Sequence, residues 1–539
     1  FKNDENCLYD CILNPKNLFS KLTSFEQSKY YTTNKNYIYD TQNIIKNIKN
    51  YSDSFKKYEL SESEEIIDVI KKIKNESNFI EKYQYLEIPF LLELNNNSSF
   101  LQILSIYNLF SPLLNLILPF LMLFLPFLII IIQGKNINIE NYISLLSESF
   151  RNNPIGKLCF NYSKSSIGEK CGLVVWSFLY LYQIYNSYFC CQKFYKNLKI
   201  IHDKINIIKN YLQNSNNNLN ILYKLLNNYK TYSKFNDNLK NNIDKINELL
   251  NNINKISDYK INVNKLFELG DLMKIFYLLH NNNDINSIID YSFYVNGYID
   301  NLLELSKLNE LNKINFCKLA NSTNIENNYY PLFIKNDNII TNSIDLSKNL
   351  IFTGPNASGK TTIIKSLLIN VILSQQFGMG CYSKANIKLV DKFYCYLNIP
   401  DTNDRDSLFQ AEARICKEII ENINENQDQN CLCIFDELYS GTNPEEAVNS
   451  SFGLLSYIGN KNCKYILTTH FNKLCKMLNK KHNVENFKMK VNEIDNDINF
   501  TYKIEKGISK IKGASNVLKK LNYPDKIIED INKLNKKEQ

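Results

Sequence analysis

Residues 1–98 mix polar and apolar positions, and where apolar residues recur at three- and four-residue steps the spacing predicts helices. It is clear at 59–75, where Ile66, Ile67, Val69 and Ile70 follow Glu64 and Glu65. It returns in 192–320 with Ile200, Ile201, Ile205, Ile208 and Leu212, where glycines and prolines are few. Between these stretches lie two runs without charge, Phe100 to Gly134 and Cys171 to Cys191. Within the first, 110–132 is long enough to cross a hydrocarbon core of about 30 Å as a helix. Pro112, Pro119 and Pro126 recur in it every seven residues, a load that membrane helices tolerate better than water-exposed ones. The second run carries Trp176 and several Tyr and Phe residues and is more amphipathic. Two spans would make a hairpin, with buried core helices as the alternative. From about 329 the pattern turns to short β-like runs alternating with helices, which predicts an α/β domain. The expected organisation is therefore an N-terminal, mainly helical region over 1–98, a hydrophobic hairpin over 99–191, a helical lever or clamp over 192–328, and an α/β domain over 329–539.

Composition adds little beyond this. With 63 Lys and Arg against 55 Asp and Glu, the formal charge of +8 permits contact with nucleic acid or an anionic membrane but demands neither. The excess of Asn, as in Asn216 to Asn218, has no common chemistry. The 14 Cys form no CxxC pair and only 4 His are present, so no zinc site is expected and a reducing intracellular compartment fits better than a disulfide framework. No signal-peptide pattern is visible at the start. Lys193, Lys196, Lys199 and Lys204 follow the second charge-free run and would place the C-terminal part on the cytoplasmic side, although Lys135, Arg151, Lys157, Lys164 and Lys170 weaken the asymmetry.

The strongest chemical signal is Gly354-Pro355-Asn356-Ala357-Ser358-Gly359-Lys360-Thr361, followed by Thr362. It has P-loop spacing, follows the apolar run Leu350-Ile351-Phe352 and opens a helical pattern through Ile363, Ile364, Leu367 and Leu368. Such a loop brings backbone N–H groups and a helix N-terminus to phosphates. Lys360 should bridge the β- and γ-phosphates of ATP, and the Thr361 hydroxyl should bind Mg²⁺. The second signal is Cys431-Leu432-Cys433-Ile434-Phe435-Asp436-Glu437. Four apolar residues lead there to two carboxylates at a strand end, where open α/β sheets bind ligands. Asp436 is the expected metal-shell carboxylate, and Glu437 would orient or deprotonate the attacking water. A third strand, Tyr465-Ile466-Leu467, ends in Thr468-Thr469-His470, which makes His470 a candidate sensor of the γ-phosphate.

Together these residues resemble the MutS family more than transporters of the wider ATP-binding-cassette class. The Gly354-Pro355-Asn356 opening, the Asp436-Glu437-x3-Gly441-Thr442 run and Thr469-His470-Phe471 are each similar to MutS motifs. The segment Ser407-Leu408-Phe409-Gln410-Ala411-Glu412 is similar to the family signature, and Gln376 fits its Q-loop position. Tyr330-Pro331 and Asn336-Asp337 resemble the stretch leading into the MutS ATPase domain, so Tyr329 or Tyr330 is a candidate to stack on adenine. A hairpin around Asp495-Asn496-Asp497, then Gly507, Gly513 and Pro524, look like the dimer-forming C-terminal part. The resemblance covers about 329–535.

It implies an ABC-class P-loop ATPase that works as a homodimer or MutS-like heterodimer on DNA, in mismatch repair or recombination. Ser407 would reach the γ-phosphate held by the partner, making the sites composite. Ala357-Ser358 stands where Met-Gly is usual, and Ser440 where Arg is common. The family's Phe-x-Glu mismatch wedge has no equivalent near the N-terminus, since Phe25-Glu26 lacks the spacing. Two alternatives remain open: a membrane-tethered, ATP-driven switch acting on protein or lipid partners, and a conventional soluble repair ATPase.

Overall fold

The computed structural model describes residues 2–3, 6–121, 131–132, 139–152, 154–157, 166–257, 263–397, 408–481, 483–494 and 497–511, with isolated turns between 518 and 533. The chain forms two compact units. One comprises Phe1–Lys57, Ile221–Asn238 and Tyr294–Gln539; the other comprises Tyr58–Asn220 and Leu239–Phe293. These units cut across the boundaries expected from composition. Residues 1–57, expected in a separate N-terminal region, belong with the α/β part. After a short antiparallel pair, Lys2–Asn3 with Asn6–Cys7, the next described strand is Asn315–Leu319, ahead of the expected start near 329.

The first unit is built on a six-stranded sheet ordered Asp497–Lys506, Val484–Ile494, Asn349–Thr353, Cys463–Thr469, Cys431–Asp436 and Lys392–Tyr396. All neighbours are parallel except the pair formed by Val484–Ile494 and Asp497–Lys506. That antiparallel pair is the expected hairpin, whose connecting residues 495 and 496 lie outside the described residues. Central parallel strands are covered on both faces, which is why Leu350-Ile351-Phe352 and Cys431 to Phe435 are unbroken apolar runs. Alternate side chains divide between two cores, as the pleat requires. Ile351, Cys433, Phe435, Tyr465 and Leu467 face helices Leu408–Glu425, Pro444–Gly459 and Asn472–Lys481. Leu350, Phe352, Leu432, Ile434 and Ile466 face helix Lys360–Phe377 and a second, five-stranded mixed sheet. That smaller sheet contains Asn315–Leu319, Asn324–Asn328, Asn342–Asp345, Met379–Gly380 and Lys384–Ile387.

The N-terminal helices are fastened to this unit by close contacts. Asn17 caps helix Leu18–Gln27 in a reciprocal box with Ser20. This helix lies so near Gly297 that an added Cβ would sit 2.2 Å from the Phe19 carbonyl oxygen, so only glycine fits. Gln42, on helix Lys35–Ile48, donates to the carbonyls of Cys317 (2.8 Å) and Gly378 (2.7 Å).

The second unit is helical among its described residues. Phe79, Tyr83, Tyr85, Phe276 and His280 form an aromatic core, with His280 stacked on Phe79 at 3.8 Å. Helix Ser98–Leu121 carries residues 100–121 of the first charge-free run, and the 60-residue helix Ile167–Leu226 carries the second. Polar groups meet along their seam: Asn115 donates to Ser187, the Tyr180 hydroxyl donates to the Asn115 carbonyl (3.0 Å), and Gln183 donates to the Asn115 side chain (3.3 Å). Leu113, Leu116, Val174, Phe178 and Leu181 point outward and are exposed. Among the described residues, Ser98–Leu118 is long and apolar enough to cross a membrane. The second expected span, Cys171–Cys191, does not reach that hydropathy, because Tyr, Gln and Asn interrupt it. Residues 122–130 of the expected 110–132 span lie outside the described residues.

Candidate functional site

Three neighbouring parallel strands, Asn349–Thr353, Cys463–Thr469 and Cys431–Asp436, end together, and their following residues converge. The loop 354–359 connects the first strand to helix Lys360–Phe377. Two glycines are required in it. An added Cβ at Gly354 would lie 2.8 Å from Met489 and 2.9 Å from the Ser358 hydroxyl, and Gly359 has φ +97°. Ala357 adopts φ +61° despite its Cβ. Ser358 is buried and donates to the Pro355 carbonyl at 2.7 Å, closing the loop with a hydroxyl.

Lys360 is buried and folds back under this loop, donating to the carbonyls of Gly354 (3.1 Å) and Pro355 (3.3 Å). Its Nζ lies 3.1 Å from His470 Nε2 and 3.7 Å from Glu437 Oε1. Burial lowers the Lys360 pKa from its ordinary value, with Glu437 and Asp436 opposing that fall. Asp436 accepts from Thr361 Oγ1 at 2.9 and 3.2 Å and also from Thr468. A carboxylate and a hydroxyl at this separation can share a divalent cation as common oxygen ligands.

Glu437 turns out of its strand with φ +55°, an uncommon conformation for a side-chain-bearing residue. Its amide donates to the Thr468 carbonyl (3.1 Å), and Oε1 lies 2.8 Å from His470 Nε2. The contact with His470, supported by Lys360, holds the Glu437 carboxyl below its ordinary pKa against the opposing effect of burial. It is thereby kept as an acceptor. The following loop is tied by Glu412, a buried carboxylate that accepts from the Ser440 amide (3.1 Å), the Ser440 hydroxyl (3.0 Å) and the Gly441 amide (3.3 Å).

Beside these groups is a cavity of about 630 Å³. Asn356, Ala357, Gly359, Lys360, Thr361, Thr362 and Glu437 line one part, and Tyr330, Phe333, Ile340 and Tyr502 line another. Polar atoms therefore meet an apolar, aromatic pocket, an arrangement that suits a phosphorylated ring compound. Tyr330 lies edge-on to Phe333 at 5.7 Å. Tyr329 also borders the cavity but is buried, its hydroxyl donating to the Lys313 carbonyl.

The structure thus gathers Lys360, Thr361, Asp436, Glu437 and His470 at one place and brings Tyr330 to the same cavity. It does not bring Gln376 there. Gln376 is at the far end of helix Lys360–Phe377, about 24 Å from Lys360 at 1.5 Å per residue. It donates to the carbonyls of Tyr30 (2.7 Å) and Gln27 (3.3 Å) and accepts from the Tyr9 hydroxyl (2.5 Å). Its expected place in the nucleotide site is corrected to an anchor for the N-terminal segment. Ser407 and Gly513 lie outside the described residues. Sequence reasoning missed Phe333, Ile340 and Tyr502. No local pattern marks them, because the hairpin and the smaller sheet reach the cavity only through the fold.

Residues 350–538 match the model of MutS domain V. Among curated proteins, the chain is similar to the DNA mismatch repair protein MutS of Clostridium perfringens, 32% identical over 220 residues that cover 38% of this chain and 23% of that protein. The corresponding protein of Caldicellulosiruptor saccharolyticus is 28% identical over 215 residues, 39% of this chain and 24% of that one. That of Bacteroides fragilis is 26% identical over 206 residues, 38% and 23%. The chain therefore spans about a quarter of the length of these relatives.

Proposed function

Since residues 350–538 belong to the MutS family as its domain V, we propose that the chain is a Mg²⁺-dependent ATPase that acts as a dimer on DNA, with ATP sites completed across the dimer. The observation that carries this reading is the convergence of Lys360, Thr361, Asp436, Glu437 and His470 beside one aromatic-walled cavity. Loop 354–359 and the N-terminus of helix Lys360–Phe377 bind the phosphates, and Lys360 exchanges its carbonyl partners for phosphate oxygens. Thr361 and Asp436 would hold Mg²⁺, which would supply neutralisation of phosphate charge. Glu437, kept ionised by His470 and Lys360, accepts a proton from the attacking water or orients it. His470 senses the γ-phosphate by giving up its contact with Glu437. Tyr330 packs against the base. Ser407 completes the site of the partner subunit.

Complementation tests the composite site. Glu437→Gln and Ser407→Ala chains are each expected to be inactive alone. Mixed equally, random pairing leaves one intact site in half of the dimers and restores about a quarter of wild-type turnover. A mixture as inactive as its parts, despite exchange of subunits, contradicts the composite arrangement.

The outward apolar and inward polar faces of helices Ser98–Leu121 and Ile167–Leu226 favour a second property. That polarity suits lipid outside and protein inside. Helix Ser98–Leu121, the one described helix apolar and long enough to cross, would tether the ATPase to a membrane, with the more amphipathic start of helix Ile167–Leu226 packed against it. Resistance of the full chain to alkaline carbonate extraction supports this; release into the supernatant contradicts it.

A further inference from the structure

A second cavity of about 630 Å³ lies in the first unit, at the C-terminal end of helix Lys360–Phe377. Its walls are aromatic. On one side Tyr37 stacks on Tyr232 with centroids 4.8 Å apart, and on another Tyr294 stacks on Tyr298 at 6.5 Å. Tyr30, Tyr31 and Phe377 complete the ring-bearing lining, and among the described residues Glu26 is its only ionisable group other than tyrosine. Among the described residues no Lys or Arg lines it, in a chain whose formal charge is +8.

Each feature favours a cation. Aromatic faces are negative and attract a positive group held over them. The end of an 18-residue helix adds partial negative charge from its last carbonyls. Glu26 adds a full charge near Tyr294, whose hydroxyl is held above its ordinary pKa by burial first and by that carboxylate second. The framework is fixed by hydrogen bonds that do not use the ring faces. Gln376 holds the carbonyls of Gln27 and Tyr30, and Gln375 holds those of Thr32 (3.2 Å) and Val390 (2.9 Å). Lys29 pairs with Glu26 at 2.7 Å, but both are solvent-accessible and three residues apart on one turn. Such pairs are weak and readily exchanged.

We propose that this cavity binds a cation with an apolar skin, of the trimethylammonium class, between the faces of Tyr37 and Tyr294 with Glu26 at the rim. A compact ammonium such as an unmodified lysine is a poorer fit, because it keeps its water more tightly. A trimethylammonium group could arrive as a free small molecule or as a methylated lysine side chain.

Titration calorimetry on the full chain tests the proposal with choline, with 3,3-dimethylbutanol as its neutral carbon isostere, and with a trimethyllysine peptide beside its unmethylated form. Choline or the methylated peptide is expected to bind at least ~10-fold more tightly than its control, and the tighter of the two identifies the source. Tyr294→Leu should weaken binding by at least ~5-fold, while Tyr37→Phe, which keeps the ring face, should leave it within about 2-fold. If Tyr294→Leu does not fold, Glu26→Gln at the accessible rim serves instead, with an expected loss of about 3-fold. Equal binding of choline and its isostere, or no binding of any cation at millimolar concentration, overturns the proposal.

Discussion

Glu412 offers a sharp test of how the site is held. It is buried, yet it accepts three hydrogen bonds from Ser440 and Gly441, three and four residues beyond Glu437. Glu412→Ala removes the acceptor from all three donors. Hydrogen bonds to a charged group contribute about 1.5–3 kcal/mol each. Ser440 and Gly441 are themselves exposed and regain water, so the net loss should be about 2–4 kcal/mol rather than the full sum. The functional effect follows from position. A slack loop no longer fixes the left-handed turn at Glu437, and a displacement of about 1 Å can cost roughly 100-fold in rate. Steady-state ATPase assays should show kcat reduced by about 10- to 100-fold, with KM changed by less than about 3-fold because the phosphate-binding loop is untouched. Glu412→Gln keeps one acceptor oxygen and should fall between. A folded Glu412→Ala chain with wild-type melting temperature and kcat would refute the reasoning.

The remaining predictions probe separate parts of the fold. Thr361→Ala removes the hydroxyl that Asp436 accepts from; the Mg²⁺ concentration for half-maximal turnover should rise by about 10-fold, read from a metal titration. Gln376→Leu deletes three anchoring hydrogen bonds; it should cost about 1–3 kcal/mol in a denaturant melt and leave the KM for ATP unchanged. Burial raises the Asp300 carboxyl to about 6, although Asn17 donates to it. The folded state therefore binds this proton more tightly than the unfolded state, so stability falls as pH rises from about 4 to about 6 and stays lower above that range. The penalty is about 3 kcal/mol, and Asp300→Asn should melt higher than wild type at neutral pH and lose that advantage near pH 4.

What the chain discloses without its structure depends on how local each signal is. The loop 354–361 and Asp436-Glu437 are legible because their chemistry and flanking strands occupy consecutive residues. His470 is readable only through its place at a third strand end, and the parallel register that aligns Thr468 with Asp436 is what makes the placement real. Gln376 misleads because helical distance is invisible in a motif: sixteen residues along a helix carry it about 24 Å away. Tyr502 and Phe333 carry no sequence mark, since each reaches the cavity from a different sheet or turn. The N-terminal helices look independent by composition, yet Gln42 and Gly297 bind them to the α/β unit through contacts 275 or more residues apart.

The most direct test of the central claim is phosphate release from ATP by the purified full chain, wild type against Glu437→Gln, at saturating Mg²⁺. Wild type should turn ATP over and the variant should lose at least ~100-fold of that rate, with ATP still bound by the variant. Equal turnover by both chains, or no hydrolysis by wild type, would contradict that claim.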